Sequence, residues 1–459
     1  DDKSLLKSAC LRVLDRLKEA EAKLEDPDTP LFGWSLDPIY MGNAKVTRAQ
    51  LDSVSDARPI GVLHASGHIM NVNSKALELA GLLKTGINHP GIPLGDDGLP
   101  TGELKGPDAY MPVSELVGFD RDALACDEPG LKAFGKLCVR TGTTTITDLA
   151  ARLGRDEAVP MMLRVTGAAE YPARIVPLRF FLGMTPEELI AEAKALKEMS
   201  TDRLRLGMIK VVADGSIQGF SARLRWPGYH NGAPNGLWYI TPEHLSEIYH
   251  LALKEDLHIH THTNGDQATE LVLDTLEEAL RANPNGDHRY TLQHCQLADA
   301  GQFRRMKALG MCVNLFANHH FYWGDEHYRL TVGPERALRM NACRTALDTG
   351  VPMAIHSDAP VTPLGPLFTA WCAVNRITAS GRVQGEAERI ALDEALYAIT
   401  LGAAYTLKLD GEVGSIETGK RADFAVLEDD PETIGADKIK DVKVWGTVQG
   451  GRVFAAAEL

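Results

Sequence analysis

Cysteine is scarce and scattered. Seven residues (Cys10, Cys126, Cys138, Cys295, Cys312, Cys343, Cys372) occur among 459, and no two form a CxxC. An odd count of isolated positions excludes a disulfide framework and fits a reducing compartment, so a cytoplasmic location is expected. No run reaches the roughly 18 uncharged apolar residues of a membrane span. Basic charge is in deficit: 48 Lys plus Arg stand against 62 Asp plus Glu, a formal net charge of −14. Neither nucleic acid nor a membrane is therefore an expected partner. The 42 glycines lack a Gly-X-Y period, which excludes collagen. The chain opens on Asp1-Asp2-Lys3 without an initiator methionine or a signal-peptide apolar region. Its true N-terminus is expected to lie upstream or to have been processed.

What is present is an ordinary globular balance, 44% hydrophobic and 24% charged residues. From about Thr143 onward, short β-branched or apolar runs alternate with helical patterns, the signature of βα units around a parallel sheet. The runs are Thr143–Thr147, Arg174–Phe181, Leu204–Val212, Leu257–Thr263, Tyr290–Gln296, Met311–Phe316 and Pro352–Ser357. Thr185-Pro186-Glu187-Glu188 carries an N-cap, a first-turn proline and a capping-box glutamate. Asp299 to Gln302 repeats the box, with Gly310 as a stop, and Thr241-Pro242 opens a third helix. The expected fold is α/β, a (β/α)8 TIM barrel with an inserted subdomain and a small β-sandwich domain. Seven strands are readable where a closed barrel needs eight.

The expected domains run as follows. Residues 1–24 form an N-terminal helix of the barrel, 25–130 an inserted subdomain over its mouth, 131–410 the barrel, and 411–459 part of the sandwich. The insertion is rich in Pro, Gly and Asp, with one apolar run at Ile60–His64. Leu392–Leu409 reads as one helix. The tail then alternates at Ala422–Leu427 and Val442–Phe454, with Gly450-Gly451 as a tight turn. So short a tail is too small for a sandwich alone and needs strands from elsewhere.

Function in parallel barrels sits at the C-terminal strand ends, and four of these offer metal-type ligands. Leu257-His258-Ile259-His260-Thr261-His262 puts three imidazoles on one face, because side chains alternate. Only His262 stands at the exit; His260 lies roughly 7 Å deeper and is expected to support it. His294 holds the equivalent exit one strand over, and Cys295 points the other way. Asp358 ends the last apolar strand and would complete an N/O set suited to zinc or a related ion. Lys210 sits among apolar neighbours, where burial lowers an ammonium's pKa. A neutral amine there can capture CO2 as an anionic carbamate. Pairing of Lys210 with a carboxylate such as Asp214 is the plainer alternative.

Lys, His, His and Asp in this order resemble the amidohydrolase superfamily, more narrowly its family-3, YtcJ-like metal-dependent hydrolases, to which N-substituted formamide deformylases are similar. Gly67-His68 through Asn73-Ser74-Lys75-Ala76-Leu77 resembles the motif G-H-x-x-x-x-N-S-x-A-L, and Pro100-Thr101-Gly102 a P-T-G segment. Thr141 to Asp148 resembles G-T-T…D. Lys210 with Asp214-Gly215-Ser216 resembles K-x-x-x-D-G-S, and His262 through Asp266 resembles H-x-x-G-D. Gly333-Pro334-Glu335-Arg336, Ser357-Asp358-Ala359-Pro360 and Gly414 to Asp423 complete the series.

The resemblance implies Lys210 as a carboxylated bridge between two divalent ions, with His262 and His294 on one. Asp358 would hold the other and act as general base. It further implies substrate contacts from His68, with Asp214, Asn318, His320 and Arg336 as weaker candidates. It also implies an H-x-H strand end, yet the first histidine is His64, inside the insertion. That strand, the eighth of the barrel and the other half of the sandwich are all expected upstream of Asp1.

The expected activity is cleavage of a C–N bond in an amide, N-formyl group or cyclic amide by metal-activated water, with one or two ions, zinc first. The substrate is then a small molecule, and a homodimer fits the fold. Two rival readings stay open: a metal-poor barrel that binds without turnover, and ester chemistry on the same metal site.

Overall fold

The computed structural model describes residues 2–26, 28–41, 45–119, 127–153 and 157–458, and side chains from 12 to 457. Cys126 and the side chain of Cys10 lie outside the described residues. By contacts the chain divides into two units. The first gathers residues 1–124, 214–223 and 232–239; the second gathers 125–213, 224–231 and 240–459.

The first unit is built on a four-stranded sheet, β1 (Leu31–Leu36), β2 (Ile60–His64), β3 (Ile69–Val72) and β4 (Glu103–Lys105), in that order. β1 and β2 run parallel; β2, β3 and β4 run antiparallel. Only β2 is marked in the sequence by an apolar run. The helix Asp2–Glu21 belongs here, with Leu14 and Leu17 in a core shared with Leu31, Leu36 and Ile60. Contacts thus join it to the segment read as an insertion. Asn73 explains the N-S-x-A-L motif locally. Its Oδ1 accepts from Ala76 N, capping the helix Ser74–Leu79, and from Ile60 N, while its Nδ2 donates to the Ser55 and Arg58 carbonyls. The amide is wholly consumed by architecture.

The second unit holds a seven-stranded parallel sheet of the TIM-barrel type. Its strands are β5 (Thr145–Ala151), β6 (Arg174–Phe180), β7 (Ile209–Val212), β8 (Ile259–Thr263), β9 (Thr291–His294), β10 (Cys312–Leu315) and β11 (Met353–Ile355). They pair in sequence order, so β5 and β11 are the sheet's two edges among the described residues. Helices between strands start where the caps indicate. Thr185 and Glu188 form a reciprocal capping box on Pro186–Glu198, and Asp299 and Gln302 one on Ala300–Ala308.

Two sequence expectations give way. The run Leu204–Val212 gives a single bridge from Leu204 to Ile175 and continuous strand only from Ile209; between them Gly207 adopts φ +91°, a conformation open to glycine. Leu392–Leu409 is two helices, Leu392–Ala398 and Leu401–Tyr405. Thr400 Oγ1 bonds back to the Leu396 carbonyl at 2.6 Å, offering the backbone a competing partner at the break.

The tail forms an antiparallel sheet of β12 (Phe424–Leu427), β13 (Val444–Gln449) and β14 (Arg452–Ala455), turned at Gly450-Gly451. Asp423, the last residue of the tail motif, accepts from the buried Arg174 at 2.7 Å and from Gly450 N at 2.7 Å. One carboxylate therefore ties the tail to the start of β6.

Candidate metal centre

Strand β8 sets the frame. Thr261 Oγ1 lies 2.6 Å from the hydroxyl of Tyr249 on the helix Pro242–Lys254, so this face of the strand looks toward the helices. His258, His260 and His262 look the other way, into the sheet's concave side. The two deeper rings are saturated. His258 Nδ1 lies 3.0 Å from the His288 carbonyl, and its Nε2 lies 3.0 Å from His260 Nε2. His260 meets Thr406 O at 3.0 Å and Gln293 Nε2 at 2.6 Å. Burial pushes His258 down to about 4 and His260 well below the ordinary histidine range. They form a neutral polar floor.

Above it, His262 and His294 face each other edge to face with ring centroids 4.6 Å apart. The register places His294 beside Thr263, one residue past His262. The Asn264 amide lies 3.2 Å from His262 Nε2. Ligand atoms of His294, His356 and Asp358 fall within 4.8 Å of one another. Lys210, 5% exposed, is close enough to act on Asp358: each charge favours the other's ionised form. Burial nonetheless dominates both, lowering Lys210 to about 8 and raising Asp358 to about 6.

His294 (φ 67°), Cys295 (φ 47°) and Asp358 (φ 56°) all occupy the left-handed region without being glycine. Such strain clusters where the surrounding structure must aim a side chain, as at ligand sites. The donor set, imidazole nitrogens and a carboxylate oxygen at the exits of β8, β9 and β11, fits a divalent first-row ion. Cys295 turns outward toward Thr269, away from this set.

His356 is the residue the sequence reading passed over. Its ring lies 4.9 Å from that of His294 and stacks on Phe316 at 5.1 Å. Its signal was its neighbour: β11 stops at Ile355, so the next residue already stands at the strand exit.

The residues expected at the substrate are divided between the two units. Arg336 donates to Asp266 Oδ2 at 2.7 Å and to Gly228 O at 3.1 Å, while Asp266 Oδ1 accepts from Arg225 N. Two sequence motifs, H-x-x-G-D and G-P-E-R, thus meet in one buried ion pair. Asn318 is buried, and its Nδ2 donates to Thr362. His320 is buried beside Arg376; burial, then that guanidinium, drives its pKa well down. His68 and Asp214 belong to the first unit. There His68 lies against Tyr239 with ring centroids 5.3 Å apart, and Asp214 Oδ2 accepts from Arg223 N at 2.9 Å. Asp214 thus contributes to its own unit's loop.

Comparison with known proteins gives the arrangement a family. Residues 8–455 match the model of the amidohydrolase family. The "Putative amidohydrolase YtcJ" of Bacillus subtilis is 28% identical over 460 residues, covering 96% of this chain and 82% of that protein. The N-substituted formamide deformylase of Arthrobacter pascens is 28% identical over 426 residues, 88% of this chain and 75% of that one. Among solved structures, an uncharacterized metal-dependent hydrolase from Pyrococcus horikoshii superposes with a TM-score of 0.63 at 19% identity. The match covers 95% of this chain and 85% of that one. With a parallel sheet of the barrel type and ligand-type residues on its strand exits, the chain belongs to the amidohydrolase family.

Proposed function

We propose that the protein hydrolyses a C–N bond of a small amide, with N-substituted formamides first among the substrates to try, using one or two divalent ions, zinc first. The deformylase relative supports the substrate class, and family membership supports hydrolysis. The observation that supports the reading is the pairing of His262 with His294, and the grouping of His294 with His356 and Asp358, in a site where burial lowers the pKa of Lys210. His262, His294 and Asp358 would hold the ion, with Lys210 as its carbamate. A bound ion there supplies a Lewis acid that polarises the scissile carbonyl and acidifies water.

The remaining chemistry falls to the chain. Burial leaves Lys210 with a pKa of about 8, so a neutral amine is accessible near neutral pH. Its nitrogen adds to CO2 and releases one proton, giving a carbamate anion. Asp358, raised to about 6, is still largely ionised at pH 7 yet more basic than an exposed aspartate. A carboxylate oxygen of Asp358 takes a proton from the attacking water. It returns that proton to the leaving nitrogen as the C–N bond breaks.

The test is metal analysis of the purified protein together with turnover on a panel of formamides, linear amides, cyclic amides and esters. About one or two ions per chain, and amide hydrolysis lost to a chelator and restored by Zn2+, are expected. A metal-free protein inactive across the panel would remove the proposal. Ester-only turnover would redirect it.

A further inference from the structure

His294, His356 and Asp358 are near enough to one another to read as three ligands of one ion. The hydrogen bonds around His356 argue otherwise. Its Nδ1 lies 3.0 Å from Asn314 Oδ1, and its Nε2 lies 2.9 Å from His294 Nδ1. Both ring nitrogens are therefore already engaged. An amide oxygen can only accept, so His356 Nδ1 must carry the hydrogen of the first contact. In the neutral ring Nε2 then bears the lone pair, and this lone pair accepts from His294 Nδ1–H. With its Nδ1 protonated, His294 keeps its own lone pair on Nε2.

We infer that Asn314 and His356 are positioning residues, a two-member hydrogen-bond relay that fixes the tautomer and ring angle of His294 and leaves its Nε2 to bind the ion. The inference deepens the proposed function and rests on its metal site.

The fold supplies what such a relay needs. Asn314 lies on β10, between β9, which ends in His294, and β11, which His356 follows. In the register Asn314 stands beside Gln293 on one side and Ala354 on the other. His356 N is itself fixed by the Leu315 carbonyl at 3.0 Å. Phe316 stacks on the His356 ring at 5.1 Å with 23° between planes, and its centroid lies 5.8 Å from that of His294. One aromatic plate and two hydrogen bonds thus define the His356 ring plane. His294 itself has left-handed backbone, φ 67°. Partners of this kind orient metal-binding imidazoles and raise their basicity, and removing one typically costs about 10- to 100-fold in metal affinity.

The experiment uses the full chain, stripped of metal and titrated with Co2+ alone. Affinity comes from calorimetry and coordination from the visible d–d spectrum. Asn314→Leu is expected to weaken Co2+ binding about 10- to 100-fold, without lowering the melting temperature of the metal-free protein. Asn314→Asp, which still presents an acceptor oxygen, should bind as the wild type does. His356→Gln can still accept from His294 Nδ1, so it should retain Co2+ with an unchanged spectrum. Wild-type affinity in Asn314→Leu would overturn the relay. So would a His356→Gln protein that loses the ion or changes its spectrum, since a lost ligand would then be the explanation. Wild-type protein that takes up no Co2+ would sink the metal reading and the relay together; the variant outcomes above sink only the relay.

Discussion

Each unit buries a small group of ionisable side chains, and the two groups are solved in opposite ways. In the first unit, Glu103 accepts from Lys45 at 2.6 Å and faces Lys105 at 3.4 Å. Burial raises its pKa, but Lys105 and Lys45 together outweigh that, and the net shift is downward. In the second unit, Asp358 has the single amine of Lys210, itself desolvated, and burial wins at both ends. The first group is compensated and its ionisation is locked. The second is left within reach of neutrality from both sides, the condition under which a side chain can gain and lose protons in a reaction. Burial alone therefore does not mark function; the ratio of compensating charge to buried charge does.

The largest effect should come from the undercompensated pair. Asp358→Asn and Lys210→Met are expected to lower kcat for amide hydrolysis by about 10³-fold or more. The double change, Asp358→Asn with Lys210→Met, should leave the melting temperature unaltered or raised, because both poorly compensated buried charges are removed together. Melting that falls in step with activity would erase the contrast.

Arg336 sharpens it from the other side, being a compensated charge in the same unit as the pair. Arg336→Ala strands Asp266 and should cost about 3 kcal/mol of stability, read from denaturant unfolding. If turnover collapses while stability holds, Arg336 belongs with the site after all.

A pH experiment addresses the first unit. His64, bonded to Asn71 at 2.6 Å, is lowered to about 4 by burial against an ordinary 6.5. Below pH 6.5 the unfolded chain takes up a proton that the folded one refuses, so stability falls as pH drops toward 4. Relative to His64→Gln, the wild type should lose up to roughly 3 kcal/mol over that window. Parallel curves for the two proteins would count against this. The smallest effect expected is from Glu103→Gln, about 1–2 kcal/mol, since Lys45 is half exposed and water relieves it.

How much of this was legible depended on how local the cause was. The capping boxes at Thr185 and Asp299 are set by four consecutive residues and stand where the sequence puts them. The seven barrel-type strands likewise follow from short apolar runs. The strands of the first unit were harder: β3 and β4 are four and three residues long, too short to leave a period. The positions of His262 and His294 at strand ends were readable because alternation names the residue at a strand exit. His356 was not, since its role depends on Asn314 and His294, 42 and 62 residues away.

The sequence by itself determined where the chain stiffens into strand or helix, and which ligand-type residues end the strands. Periodicity, caps and glycine conformations act over a few residues, so no fold is needed to read them. Only the tertiary structure decided what each polar group does. It gave Arg336 to Asp266, Asn73 to a helix cap and His260 to a saturated floor, and it left Lys210 and Asp358 short of compensation. Hydrogen-bond saturation and desolvation are properties of a neighbourhood assembled from distant segments, and no local pattern encodes them.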